Sequence, residues 1–124
     1  MEFFAEADTR CDVEPLQQAL TIAALPLFCS EISRVLRGGE AEGEIYCHWG
    51  SFVVHREEIG DGVRFTLPKC PNALAWTVTC EGTEGDGGIL VHCTINRRDH
   101  DADFIESIES FVAAWKRGLE QDLD

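Results

Sequence analysis

Two neighbour pairs, Cys47-His48 and His92-Cys93, and His55, seven positions after the first histidine, are among the residues of this chain whose types and spacing could do chemistry. A thiolate and an imidazole can share a metal ion or form a nucleophile–base couple, provided that both reach the same point. The segment around the first pair, "EIYCHWGSFVVHRE", alternates apolar and polar residues with a period of two, as a half-buried strand does. Successive strand residues point to opposite faces. Cys47 and Cys93, with Cys80, then belong to the core side. Tyr46, His48, His55, Arg64, Thr77, Thr79, His92, Thr94 and Asn96 belong to the other. Neither Cys–His pair can act as a unit. His48 and His55 are expected diagonally opposite across one hairpin, at roughly 7–8 Å, and His92 four strands away, at about 19 Å.

Weaker signals are explained by structure. In "DHDADF" the aspartates stand as in a calcium loop, but Phe104 occupies the glycine position and Ser110 the glutamate position; helix capping accounts for them. The segment "EGTEGDGG" is glycine-rich, yet it joins strands and carries acids that would repel phosphate. No CxxC spacing and no serine nucleophile elbow is present. These absences predict no catalytic residue, no cofactor and no metal, and favour a protein that is not an enzyme.

The elements that must position these groups follow from periodicity. Phe3, Ala5 and Ala7 alternate with Glu2, Glu6 and Asp8, predicting a first strand. A helix is expected from Asp12, with Pro15 in its first turn. Its apolar face runs through Leu16, Leu20, Ala23 and Leu27, then rotates to Phe28, Ile32, Val35 and Leu36. Pro26 therefore predicts a kink or a split, and Gly38-Gly39 the end. Five strands follow between residues 44 and 96. Gly50-Ser51 reads as a two-residue hairpin turn that pairs Trp49 with Phe52 and Cys47 with Val54. Phe104, Ile105, Ile108, Phe111, Val112, Trp115 and Leu119 predict a long last helix. Its stripe is wide enough for the sheet, for a second copy in a homodimer, or for both. The expected fold is one α+β domain over residues 1–124: about six antiparallel strands in the order β-α-β5-α, with both helices on one face.

This element order resembles the helix-grip domains (START and plant-allergen-like), which carry one more strand. It also resembles the TATA-binding-protein-like sheet, which carries one fewer. Acidic type III secretion chaperones are similar in size and charge, but interrupt their strands with a helix. The helix-grip likeness implies a ligand pocket between sheet and last helix, lined by Trp49, Phe65, Trp76, Val78 and Phe111.

With 23 acidic against 10 basic residues, the chain carries a net charge of −13. Such a surface repels nucleic acid and anionic lipid, and attracts a basic protein. No apolar run approaches the ~20 residues of a membrane span, and the acidic start lacks the features of a signal peptide. A cytoplasmic location is expected, with the six cysteines as thiols. The function expected is therefore a non-enzymatic acidic protein-binding module of inhibitor, immunity, chaperone or adaptor type. Its partner surface would use Tyr46, His48, His55, Arg64 and His92. The acidic loops at residues 40–44, 57–61 and 81–86 would add Glu57, Glu58, Asp61, Glu84 and Asp86.

Overall fold

The computed structural model describes residues 1–81, 87–96 and 99–123. Its elements are β1 (Glu2–Ala7), α1 (Val13–Ala19), a 3₁₀ turn (Ile22–Ala24), α2 (Leu25–Phe28), β2 (Ile32–Arg37), β3 (Glu42–Cys47), β4 (Gly50–Ile59), β5 (Gly62–Thr66), β6 (Ala75–Cys80), β7 (Ile89–Thr94) and α3 (Ala102–Asp122). All seven strands form one antiparallel sheet in the order β1-β7-β6-β5-β4-β3-β2. The helices cover one face.

The strand count is seven rather than six, and the extra strand is β2. Ile32 and Val35, three residues apart, suit a helix face as a pattern. In β2 they are three apart for another reason. The register against β3 shifts between Ile32 and Arg34 and again between Val35 and Arg37, so inserted residues stretch the strand period to mimic a helical one. The helical region is also split earlier than expected. α1 ends at Leu20, whose N–H still bonds to Leu16 O. Thr21 then opens the 3₁₀ turn by accepting from Ala24 N–H at 3.2 Å. Pro26 stands in the first turn of α2, where its missing N–H is not needed. Leu16, Leu20, Ile22, Leu25 and Phe28 are buried, whereas Leu27, expected on the core face, is exposed.

The β3–β4 hairpin also differs from expectation. Cys47 pairs with Gly50, Ile45 with Phe52 and Gly43 with Val54, so the turn is His48-Trp49 and not Gly50-Ser51. Gly50, at φ 116°, follows the turn and takes the positive φ there. The slip is by two residues on each strand. Because the side-chain period is also two, every strand residue keeps its face. Trp49 is released to reach α3, where its Nε1 donates to Ser107 Oγ at 2.8 Å.

α3 lies against β1, β7 and α2, burying Ile108, Phe111, Val112, Ala114, Trp115, Gly118 and Leu119. Asp101 is its N-cap residue but makes no side-chain cap bond. α1 is held over the sheet by polar anchors. Arg56, facing inward from β4, donates to Leu20 O at 2.7 Å and Gln17 O at 2.6 Å. Gln17 Nε2 in turn donates to Ile59 O and Gly62 O at the β4–β5 turn. With β2 counted, one strand, two helices, six strands and a last helix follow one another, which is the strand complement of the helix-grip order and too many strands for the TATA-binding-like one.

Candidate partner-binding surfaces

The face of the sheet away from the helices carries Tyr46, His55, Glu57, Arg64 and His92 of the expected partner residues, in rows set by the register. Glu57, Arg64, Thr77, His92 and Phe4 lie side by side on β4, β5, β6, β7 and β1. Glu57 Oε1 and Arg64 Nε pair at 3.7 Å. His92 Nε2 shares a hydrogen bond with Glu2 Oε1 at 2.8 Å. Its ring stacks on Phe4 at 4.4 Å with planes 2° apart. Towards the other edge, Glu42 binds both His55 Nε2 at 3.4 Å and Arg37 at 3.2 Å. Tyr46 is exposed beneath the Arg34 guanidinium, 5.6 Å from its ring centre.

His48 departs from this face. It lies in the turn, with Nδ1 at 3.8 Å from Glu31, beside a cleft of about 260 Å³ formed with Asp103, Glu106, Ser107 and Ser110. His55 is opposite Glu42, six positions along β3 from His48, or ~20 Å. The expected diagonal approach of the two histidines is overturned by the two-residue slip. Among the described residues no cluster of three or more His, Cys, Asp or Glu is arranged to hold a metal ion. Glu58 pairs with Arg56 at 3.3 Å, and Asp61 sits in the β4–β5 turn, where its carbonyl accepts from Cys80 N–H. Glu84 and Asp86 lie outside the described residues.

Four of the five residues expected to line a pocket, Trp49, Phe65, Trp76 and Phe111, meet one another in an aromatic cluster. Trp76 meets Phe111 edge-on at 4.9 Å and Phe65 at 5.3 Å; Trp49 meets Phe111 at 5.2 Å. Phe65, Trp76, Val78 and Phe111 are no more than 1% exposed. Trp115, from α3, completes the cluster at 6.3 Å from Trp76. Two donors in it, Trp76 Nε1 and Trp115 Nε1, are buried without an acceptor among the described residues.

The six cysteines are free thiols. Burial pushes Cys29 and Cys93 up from 9.0 to about 12, and raises Cys11, Cys47 and Cys80 as well. Burial is the largest cause at each of these five and works against the thiolate.

Two features have no counterpart in the sequence expectations. Between residues 99 and 109 five acids stand with no lysine or arginine, and Asp103, Glu106 and Glu109 are exposed on α3. No ion pair joins these three to a cation among the described residues. The second is a groove of about 590 Å³ between β1 and α3, lined by residues 2–6 together with Glu109, Val112, Ala113 and Lys116. At its end Glu120 binds both Lys116 and the Asp8 N–H, the latter at 2.7 Å. The Lys116 bond, then the Asp8 bond, hold the Glu120 carboxyl below its ordinary pKa. The acid run was visible as composition, but its use as one exposed helix side needed the helix to be placed.

No family model and no curated protein matches the chain. The solved structure of the protein XoxI from Bacillus cereus is similar, with a TM-score of 0.69 at 15% identity, covering 98% of this chain and 94% of that one. At that identity the likeness shows the α+β fold alone. Among the described residues no helix is long and apolar enough to cross a membrane.

Proposed function

We propose that the chain is a non-enzymatic acidic protein-binding module, of inhibitor, immunity, chaperone or adaptor type, whose partner is basic. The observation that carries this reading is the placement of charge. On the outer sheet face Glu57 and Glu42 are matched by Arg64 and Arg37. The carboxylates of α3 at Asp103, Glu106 and Glu109 stand exposed, with no ion pair to a cation among the described residues. Unmatched surface charge steers a partner of opposite sign, whereas matched pairs add little. The filled aromatic core supports the same reading, because it leaves the helix-grip pocket to side chains.

Titrating the protein with lysine- and arginine-rich peptides by calorimetry, at about 50 and about 300 mM salt, tests it. Binding should weaken steeply with salt, and weaken again in the Asp103→Asn, Glu106→Gln, Glu109→Gln triple variant. Binding that is absent, or indifferent to salt, removes the proposal.

A second reading, a small-ligand domain of helix-grip type, is favoured by one observation: two indole rings whose buried N–H groups have no acceptor among the described residues lie 6.3 Å apart, one on β6 and one on α3. A ligand offering an acceptor there should quench tryptophan fluorescence and raise the melting temperature. A panel of fatty acids and aromatic ligands that moves neither disposes of it.

A further inference from the structure

A regular sheet has two edges, and this one treats them differently. The β2 edge is broken by two register shifts and carries Arg34 and Arg37, which are the usual protections of an edge strand. The β1 edge is unbroken over six residues, with no proline and no bulge. Which of its groups are open follows from the ladder. Met1 and Ile95 exchange both backbone hydrogen bonds, at 3.0 Å each way. In an antiparallel pair such residues alternate with unbonded ones, so Phe3, Ala5 and Ala7 bond towards β7. The N–H and C=O groups of Glu2, Phe4 and Glu6 then point to the free edge. No partner for them exists among the described residues. The next N–H in that series, on Asp8, already takes a carboxylate oxygen from Glu120.

The groove along this edge selects what could pair with it. Its α3 wall offers Val112 and Ala113, and its acids are Glu2, Glu6 and Glu109. Lys116, the cation on that wall, is bound to Glu120. A second copy of the chain is disfavoured. The fullest two-fold pairing of β1 with itself is centred on Phe4 and sets Glu2 opposite Glu6 twice, and like charges directly opposite are destabilising. A basic partner meets the opposite condition.

We propose that the free edge of β1 is the docking site of an extended basic segment of a partner protein, which adds to the sheet as an eighth strand. The pattern it requires is basic residues opposite Glu2 and Glu6, an apolar residue opposite Phe4, and small apolar residues between them facing Val112 and Ala113. Main-chain bonds supply affinity in such additions and alternate side chains supply selectivity. This names the partner surface of the module proposed above and rests on that reading.

The test uses the whole chain and a peptide with a Lys-Val-Tyr-Val-Lys core, followed by NMR and amide hydrogen exchange. The amides of Glu2, Phe4 and Glu6 should gain protection. The Glu-Val-Tyr-Val-Glu peptide should not bind. Phe4→Pro removes an edge N–H at a position where proline is tolerated, and should weaken the peptide about ten-fold while β1–β7 pairing persists. A peptide N-methylated on the pairing edge should lose binding to the unaltered protein, which settles the matter should Phe4→Pro fail to fold. Protection appearing on α3 instead overturns the edge site and leaves the module reading standing. A lack of binding by any basic peptide at low salt overturns both. A wild-type dimer abolished by Phe4→Pro assigns the edge to a second copy and overturns the proposal.

Discussion

Gly118→Ala sets two effects of opposite sign against each other. Gly118 lies inside α3, where alanine in place of glycine favours the helix by about 1 kcal/mol. A methyl group built on Gly118, however, would stand 1.9 Å from Phe28 O, 2.4 Å from Phe28 C and 2.8 Å from Phe28 Cα. These are backbone atoms of α2, so no side-chain rotation relieves them, and the two helices must separate by more than 1 Å at their contact. Overpacking of this kind costs typically 1–3 kcal/mol, and a backbone-to-backbone clash belongs at the top of that range. The net expectation is a loss of about 2 kcal/mol, or a fall of roughly 6–10 °C in Tm for a chain of this size. Urea and thermal unfolding followed by circular dichroism measure it. Gly38, with nothing within 4 Å of an added methyl, is the control: its alanine variant should lie within about 0.5 kcal/mol of wild type. Gly118→Ala matching or exceeding wild-type stability would refute the close α2–α3 packing.

Further expectations concern the anchors and the thiols. Arg56→Met should cost about 3 kcal/mol in urea unfolding, since it removes charged hydrogen bonds to two carbonyls at the end of α1. Arg56→Lys should recover less than half of that, because an ammonium lacks the fork that serves both; a loss below about 0.5 kcal/mol in the methionine variant contradicts the anchor. Trp49→Phe and Ser107→Ala should each cost about 1 kcal/mol and the double variant little more than one of them, as a double-mutant cycle reports for a shared bond. Cys29 and Cys93 bind their protons more tightly folded, at about 12, than at the ordinary 9.0. Their contribution is therefore complete below pH 9 and is lost as pH rises from 9 towards 12, at up to ~1.4 kcal/mol per pH unit per thiol. A Cys29→Ala, Cys93→Ala variant should show a flatter decline across that window; an unchanged slope rules the thiols out as its cause.

Alternation by itself determined which side of the sheet each strand residue faces. Cys47 and Cys93 are buried while Tyr46, His55 and His92 lie opposite, and this survived a wrong turn assignment because a slip of two residues preserves a period of two. The separation of each cysteine from its neighbouring histidine was legible for the same reason. The apolar positions of α3 and the acid run before Ser110 could also be read directly. Local pattern could not say where the hairpin turns. That depends on Trp49 bonding Ser107, a partner 58 residues away. Nor could it show β2, since two bulges give a strand the spacing of a helix. It could not show Trp115 from α3 meeting Trp76 from β6 either, a contact made only when the helix lies down on the sheet. The open edge belongs to tertiary structure alone. β1 is an edge because β7 returns beside it, and Glu2, Phe4 and Glu6 hold the free groups because Met1 pairs with Ile95, at the far end of the sheet in sequence. Periodicity assigns faces; the pairing of distant strands assigns edges, and among the described residues it leaves the backbone groups of Glu2, Phe4 and Glu6 open at the β1 edge.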